Sequence, residues 1–358
     1  MAEMLGDGMR YNQKAYLAGG NERLGIPAMR FFDGPRGMVS GEATCFPVAM
    51  GRAASFDRDL EYRVGEAIGK EIRANKGNYF GGVCINLLRH PAWGRAQETY
   101  GEDPHHVGRM AAAFTRGLQR HVMACMKHFA LNSMENSRFT VDVTVDERAL
   151  HEVYLPHFRR VADAGVASVM SAYNRVNGVT CSEQPLLDEV LRDEYGFDGL
   201  VVSDWYGTYG PAVAASGLDL EMPGPGRWLG PTSVRDALDR GDTDLAAVDR
   251  KVRHLLTLIE RTGAAERSLI ERAEERPEDR AFVRRVAAEA TVLLRNDGLL
   301  PLADPARVAV IGDLARDLTR GLRHTNPYVH APNGTGCTVA AAPRSLRRPP
   351  ARSGGWMA

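Results

Sequence analysis

In the stretch GLVVSDWYG, residues 199–207, an apolar run ends in Ser203, Asp204 and Trp205, an acid beside a large aromatic. The arrangement recurs along the chain. AMRFF (28–32) leads to Asp33, CINLL (84–88) to Arg95 in the following loop, and HVMACM (121–126) to Lys127 and His128. ASVMSA (167–172) carries Met170 and is followed by Tyr173. Taken singly, each group has an ordinary explanation. Asp33 lies in DGP, which is turn chemistry in many settings, and an Asp after a strand commonly caps the next helix. Together they place acids, bases and aromatics at the same end of successive apolar segments. Such a pocket suits a neutral, hydroxyl-rich ligand, with charged groups for its hydroxyls and an aromatic face for its C–H surface.

The elements that must position these groups alternate in type. Besides the segments above, LVVSD (200–204) and LDLEM (218–222) read as strands. Between them Leu60, Val64, Ile68 and Ile72 recur every four residues, as do Val107, Ala111, Phe114 and Leu118, and Leu150, Tyr154, Phe158 and Val161 follow the same period. Each set marks the buried face of a helix. Thr144 and Glu147 have the spacing of a capping box for the third of these helices. Gly196 is placed to end the helix before GLVVSD. Strands that are apolar on both faces and separated by helices imply a parallel sheet covered by helices. The fold class expected is α/β, a (β/α)8 barrel of irregular or incomplete form, because seven or eight such units fit its usual size of about 250 residues. Pattern alone leaves a doubly wound open sheet possible. The barrel is preferred because no G-x-G-x-x-G follows the first strand.

The expected organisation is a barrel over residues 1–262, a linker over 263–280, the start of an α/β sandwich domain over 281–313, and a tail over 314–358. The last barrel helix should run from Asp244 to Thr262, and AFVRRVAAEATVLLRN should form a further helix before a strand at RVAVIG (307–312). From Leu314 onward there are seven arginines and five prolines, no lysine and a single acid, Asp317. A segment of that composition buries too little apolar surface to offset its ordering entropy.

Lys plus Arg and Asp plus Glu number 45 each. No net field draws the chain to nucleic acid or to an acidic membrane, so neither is expected as a partner. The five cysteines (45, 84, 125, 181 and 337) are scattered, with no C-x-x-C pair, which points to reduced thiols and no metal site. MAEMLGDGMRYNQ lacks the basic and apolar regions of a signal peptide, and no apolar run reaches the ~18 residues of a membrane span. A soluble, cytoplasmic location is the expectation.

The same residues carry a family resemblance. FFDGPRG, NLLRHPAWGRAQETYGEDP, KHFALNSMENSRF, VMSAYNRVNG and GFDGLVVSDW resemble, in order, the motif series of glycoside hydrolase family 3, the β-glucosidase-type enzymes. LGIPAMRFFDGPRG and EATVLLRNDGLLPL extend the likeness to about residue 312. The resemblance implies cofactor-free, retaining hydrolysis of terminal β-D-glucosyl or related residues. It implies Asp204 of S-D-W as the catalytic nucleophile. Sugar-binding roles fall on Asp33, Arg95, Lys127, His128, Arg138, Met170, Tyr173 and Trp205. Asp33 would grip the far side of the ring, Lys127 and His128 the hydroxyls nearer the reacting carbon, and Trp205 would form a wall. Lys127, Arg95 and Arg138 would favour the ionised nucleophile, and Tyr173 could position it by a hydrogen bond.

The sequence also departs from the family pattern. In β-glucosidase-type members the general acid/base is a glutamate of the second domain, and the likeness ends after Asp313, before that position. The β-N-acetylglucosaminidase branch uses a His-Asp dyad within K-H-F-P-G-H-G, whereas the text here is KHFALNSMENSRF. Met38 and Val39 stand where many relatives carry a sugar-binding arginine, with Arg36 close by. Weak or absent turnover is therefore expected, and self-association through apolar surface that the second domain covers in relatives. A sugar-binding or regulatory homologue is the alternative, and a frameshifted or incomplete gene would account for the tail.

Overall fold

The computed structural model describes residues 15–39, 43–263, 277–303 and 309. Its main sheet has six strands. Tyr16–Ala18 runs antiparallel to Met29–Phe32, and then Tyr79–Cys84, Met123–Phe129, Ser168–Ser171 and Leu200–Ser203 follow, each parallel to the one before. The spatial order is the chain order. A doubly wound sheet needs a reversal of strand order, so the open-sheet alternative falls away. The sheet curls instead: the Tyr16 ring, on the first strand, meets Trp205, just past the last, at 5.6 Å edge to face. Its hydroxyl also donates to the carbonyl of Gly224 at 3.4 Å. A cavity of about 450 Å³ lies along this seam, between residues 15–19 and 219–226. The architecture is an α/β barrel whose first and last described strands approach each other along this seam.

The helices form where spacing and caps direct them. Arg58–Ala74 starts at Asp57, whose carboxylate accepts from the amides of Asp59 and Leu60. Leu60, Val64, Ile68 and Ile72 are all at most 2% exposed, each contributing roughly 1.5–3 kcal/mol. This face packs on Pro104–Leu118, opened by Asp103 in the same manner. The two helices cross closely, for a Cβ on Gly117 would lie 2.0 Å from the carbonyl oxygen of Tyr62.

Arg52 ties this layer to the loops beneath it. Only 1% exposed, it makes two hydrogen bonds from Nε and one from Nη2 to Glu61 and also donates to the carbonyls of Pro35 and Pro47. The Tyr100 hydroxyl donates to Glu61 at 2.7 Å. Replacing Arg52 by Met should lower unfolding stability by about 3–5 kcal/mol, because it strands a buried carboxylate. Urea denaturation of the variant and of Arg52→Met/Glu61→Leu checks this; the double variant should recover part of the loss.

Several local expectations need correction. The third strand is Tyr79–Cys84, not CINLL: YFGGVC holds two glycines that break an apolar run, and residues 85–88 lie past its end. The fourth extends to Phe129, so Lys127 and His128 belong to the strand rather than following it. The helix expected over 150–161 is divided into a wide π-type stretch, Leu150–Tyr154, and Pro156–Asp163, because Pro156 supplies no backbone N–H to continue the ladder. The cap before it is Asp146, accepting from the amide of Ala149, not Thr144. LDLEM adds a single bridge, Leu220 to Val202. Its Glu221 turns away to accept from Thr208 and from the amides of Trp228 and Leu229.

Leu245–Arg261 forms as expected, capped by Asp244. The following helix begins at Pro277, inside the stretch read as linker, and stops at Glu289. Beyond it Val292, Leu293, Leu294, Leu299, Leu300 and Leu302 stand exposed. The strand expected at 307–312, Ala309 aside, and the tail lie outside the described residues. No described helix is long and apolar enough to cross a membrane.

Candidate active site

The site forms where the parallel strands end. Met123–Phe129 delivers two of its groups through an irregularity. Side chains on a regular strand alternate between faces, which would separate Lys127 from His128. Here Lys127 pairs with Met170 and Phe129 with Ser171, so His128 is the extra residue of a bulge. Bulges re-aim side chains, and this one lets Lys127 reach Asp33 while His128 reaches Asp204. Lys127 Nζ lies 3.0 Å from both oxygens of Asp33, and Asp33 Oδ1 also accepts from the amide of Gly34 at 2.8 Å.

Asp204 follows Leu200–Ser203 directly and is 8% exposed. Its Oδ1 takes two donors, the Tyr173 hydroxyl and the Trp205 amide, both at 2.7 Å. Its Oδ2 faces His128 Nε2 at 3.4 Å. Next along the chain, the Trp205 ring stands on Phe31, 4.7 Å between centroids. Gly81 makes room for that support, since a Cβ there would lie 2.3 Å from the Phe31 ring. Two residues on, Tyr206 adopts φ 62°, a costly left-handed backbone held by its amide donating to the Met222 carbonyl at 2.8 Å.

Arginines close the remaining side. Arg95 donates to both oxygens of Glu98, at 2.9 and 2.7 Å, and its Nη1 lies 2.8 Å from His128 Nε2. Arg138 bonds Glu135 Oε2 at 2.8 Å, and its guanidinium covers the Tyr173 ring at 4.5 Å. Trp93 Nε1 donates to the other oxygen of Glu135 at 3.3 Å. The Tyr173 ring also meets Phe139 edge on, at 4.5 Å, and the same Arg138 guanidinium lies over Phe139 at 5.0 Å.

Burial and these neighbours set the charges. Burial is the largest influence on the Lys127 ammonium and disfavours it, but Asp33, Glu98 and Asp204 together bring the net shift upward. Burial lowers His128 well below its ordinary value, and Arg95, Lys127 and Arg138 lower it further, so the imidazole is neutral. Burial raises Tyr173 well above its usual range, helped by Asp204, so it stays a hydrogen-bond donor. Burial pulls Arg95 down, yet Glu98 more than compensates.

The structure therefore brings together Asp33, Arg95, Lys127, His128, Arg138, Tyr173, Asp204 and Trp205. Met170 differs. It is 1% exposed and lies with Met29, Phe31, Tyr79 and Val202 in the apolar cluster against which Trp205 packs. Three residues at the site were not singled out by sequence: Asn86, Glu98 and Glu135. The two glutamates sit three residues from Arg95 and Arg138, a spacing that signals paired charges; Asn86 lay within a segment read as apolar. Among the described residues no three His, Cys, Asp or Glu side chains gather as a metal site requires. The 450 Å³ seam cavity is lined by other residues and does not include Asp204.

Comparison with known proteins supplies the context. Residues 7–258 match the glycosyl hydrolase family 3 N terminal domain. A β-glucosidase of Rhizobium radiobacter is 43% identical over 306 residues, 81% of this chain but 37% of that protein. A probable β-glucosidase K of Emericella nidulans is 40% identical over 78% of the chain and 35% of its own length. Among solved structures, the Kluyveromyces marxianus β-glucosidase in complex with glucose superposes with a TM-score of 0.76 at 37% identity, covering 81% of this chain and 38% of that one. β-Glucosidase 3B of Thermotoga neapolitana, in complex with α-D-glucose, gives 0.75 at 34% identity over 82% and 44%. The chain spans little more than a third of the length of these curated relatives.

Proposed function

Because the chain belongs to glycosyl hydrolase family 3, through the family's N-terminal barrel domain, we propose that it holds the glucose-binding subsite and the nucleophile of a retaining β-glucosidase. The single observation that carries this reading is the environment of Asp204. Two donors saturate Oδ1, leaving Oδ2 as the oxygen to attack. A covalent step through a carboxylate needs that polarity: one oxygen held, the other aimed.

In this reading Asp33 and Lys127 form one clamp for ring hydroxyls, and Arg95 and Arg138 lie across from them. Trp205, backed by Phe31 and Tyr16, offers its face to the C–H surface of the sugar. Met170 acts from beneath, through the packing of Trp205. Oδ2 forms a bond to C1 as the glycosidic C–O bond breaks, and the departing oxygen takes a proton or leaves as an anion. Water then attacks C1 from the opposite face, giving up a proton to solvent or to the departed anion, and releases Asp204 as a carboxylate and the sugar with its original configuration. The relatives' full activity, carried on chains more than twice as long, is a proposal for this one.

Proton NMR of an aryl β-glucoside during turnover tests the reading. β-Glucose should appear first and mutarotate later. α-Glucose as the first product would overturn the double displacement, and with it the role of Asp204.

A further inference from the structure

The hydrogen bonds around His128 identify which ring nitrogen carries its proton. Asn86, 1% exposed, faces His128 along the neighbouring chain segment. Its Nδ2 lies 2.8 Å from the carbonyl oxygen of His128, and its Oδ1 lies 2.9 Å from the amide nitrogen. A backbone carbonyl can only accept and a backbone N–H can only donate. The orientation of the Asn86 amide is thereby fixed. The same Oδ1 lies 2.9 Å from His128 Nδ1, so Nδ1 must bear the proton. The other nitrogen gives the same answer independently. Arg95 Nη1 lies 2.8 Å from Nε2, and a guanidinium has no lone pair to offer, so Nε2 must be bare.

We propose that Asn86 is a positioning residue that locks His128 as the Nδ1–H tautomer, so that Nε2 accepts from Arg95 and turns no N–H toward Asp204. The 3.4 Å approach of Nε2 to Asp204 Oδ2 is then not an ion pair. Nε2 already accepts from Arg95, so Oδ2 receives no donor from His128 and stays open to a ligand. On the glycosidase reading His128 thereby fixes the Arg95 fork against the sugar, and no proton passes between His128 and Asp204. Burial and three cations, Arg95, Lys127 and Arg138, oppose an imidazolium; against them stands the one carboxylate facing the ring, Asp204, while Glu98 is already engaged by Arg95.

The test begins with the unaltered protein, labelled with 15N in its histidine rings. Multiple-bond proton–nitrogen correlation at neutral pH should show His128 with Nδ1 protonated and Nε2 bare, and saturating glucose should move the Nε2 signal. His128→Gln provides the assignment. An Nε2–H tautomer, or an imidazolium at neutral pH, overturns the inference whether or not the protein hydrolyses anything. A protein that shows the expected tautomer but binds no glucose would instead sink the glycosidase reading. Asn86→Asp supplies the second arm. It keeps the acceptor for both N–H groups and gives up only the Nδ2 donor to the His128 carbonyl, while its carboxylate draws a second proton onto the ring and turns Nε2 into a donor facing Arg95. Glucose Kd should rise about tenfold or more, and the acidic limb of the pH–activity profile should move to higher pH. A folded Asn86→Asp protein with unchanged Kd and unchanged acidic limb overturns the inference.

Discussion

Asp204→Ala should reduce turnover of an activated aryl β-glucoside by a factor on the order of 10⁴–10⁶, as removal of other covalent nucleophiles does. Glucose should still bind, since Asp33, Lys127, Arg95 and Arg138 retain the partners they have in the intact site. The variant should fold, because the groups left behind are manageable. The Tyr173 hydroxyl and the Trp205 amide lose an acceptor, and the space vacated by the carboxylate admits water. That space also offers a chemical signature. A small anion such as azide, diffusing into it, meets C1 from the side Asp204 occupied, and one displacement without a second inverts the centre. Activity restored by azide, with an α-glucosyl azide as product, would identify Asp204 by stereochemistry as well as by rate. Retention of more than a few per cent of activity by Asp204→Ala would overturn its role, as would azide rescue giving the β-azide.

How much of this arrangement could be read from the sequence depends on what held each part in place. Helices written in apolar periodicity were legible: Leu60, Val64, Ile68 and Ile72 need only a 3.6-residue repeat and a neighbouring face. Rim groups immediately following apolar strands were legible too, because strand ends in a parallel barrel open on one side. Parts that depend on exceptions to periodicity were not. Gly81 and Gly82 hide the third strand, since their value lies in the space they leave for Phe31 and Phe80. The bulge at His128 has no local signature: it exists because two neighbouring strands differ in register by one residue. Asn86, Glu98 and Glu135 act through hydrogen bonds to His128, Arg95 and Arg138. Only the folded chain brings Asn86 within reach of a residue 42 positions away.

Turnover should depend steeply on the leaving group, with cellobiose hydrolysed about 10²–10⁴-fold less efficiently than a nitrophenyl glucoside, the range expected when a general acid is missing. The described carboxyl groups around Asp204 are all committed. Asp33 is held by Lys127, Glu98 by Arg95, and Glu135 by Arg138 and Trp93. Tyr173 already donates to Asp204, and burial raises it well above its usual range, so its proton is not available to a departing alcohol. His128 is neutral, and the nitrogen it turns toward Asp204 is an acceptor. A nitrophenolate leaves as a stable anion and needs none of these groups. A sugar alkoxide does not, so on the proposed role of Asp204 the first step is slowed for cellobiose by that factor. The measurement is kcat/KM across aryl β-glucosides of graded leaving-group acidity, with cellobiose at the far end. A steep line running through the cellobiose point is the expected result. A shallow line, with cellobiose cleaved as readily as the aryl glucosides, would mean that a proton donor reaches the aglycone oxygen from a group other than these. The subsite would then be that of a complete hydrolase rather than one that binds the sugar and awaits the proton.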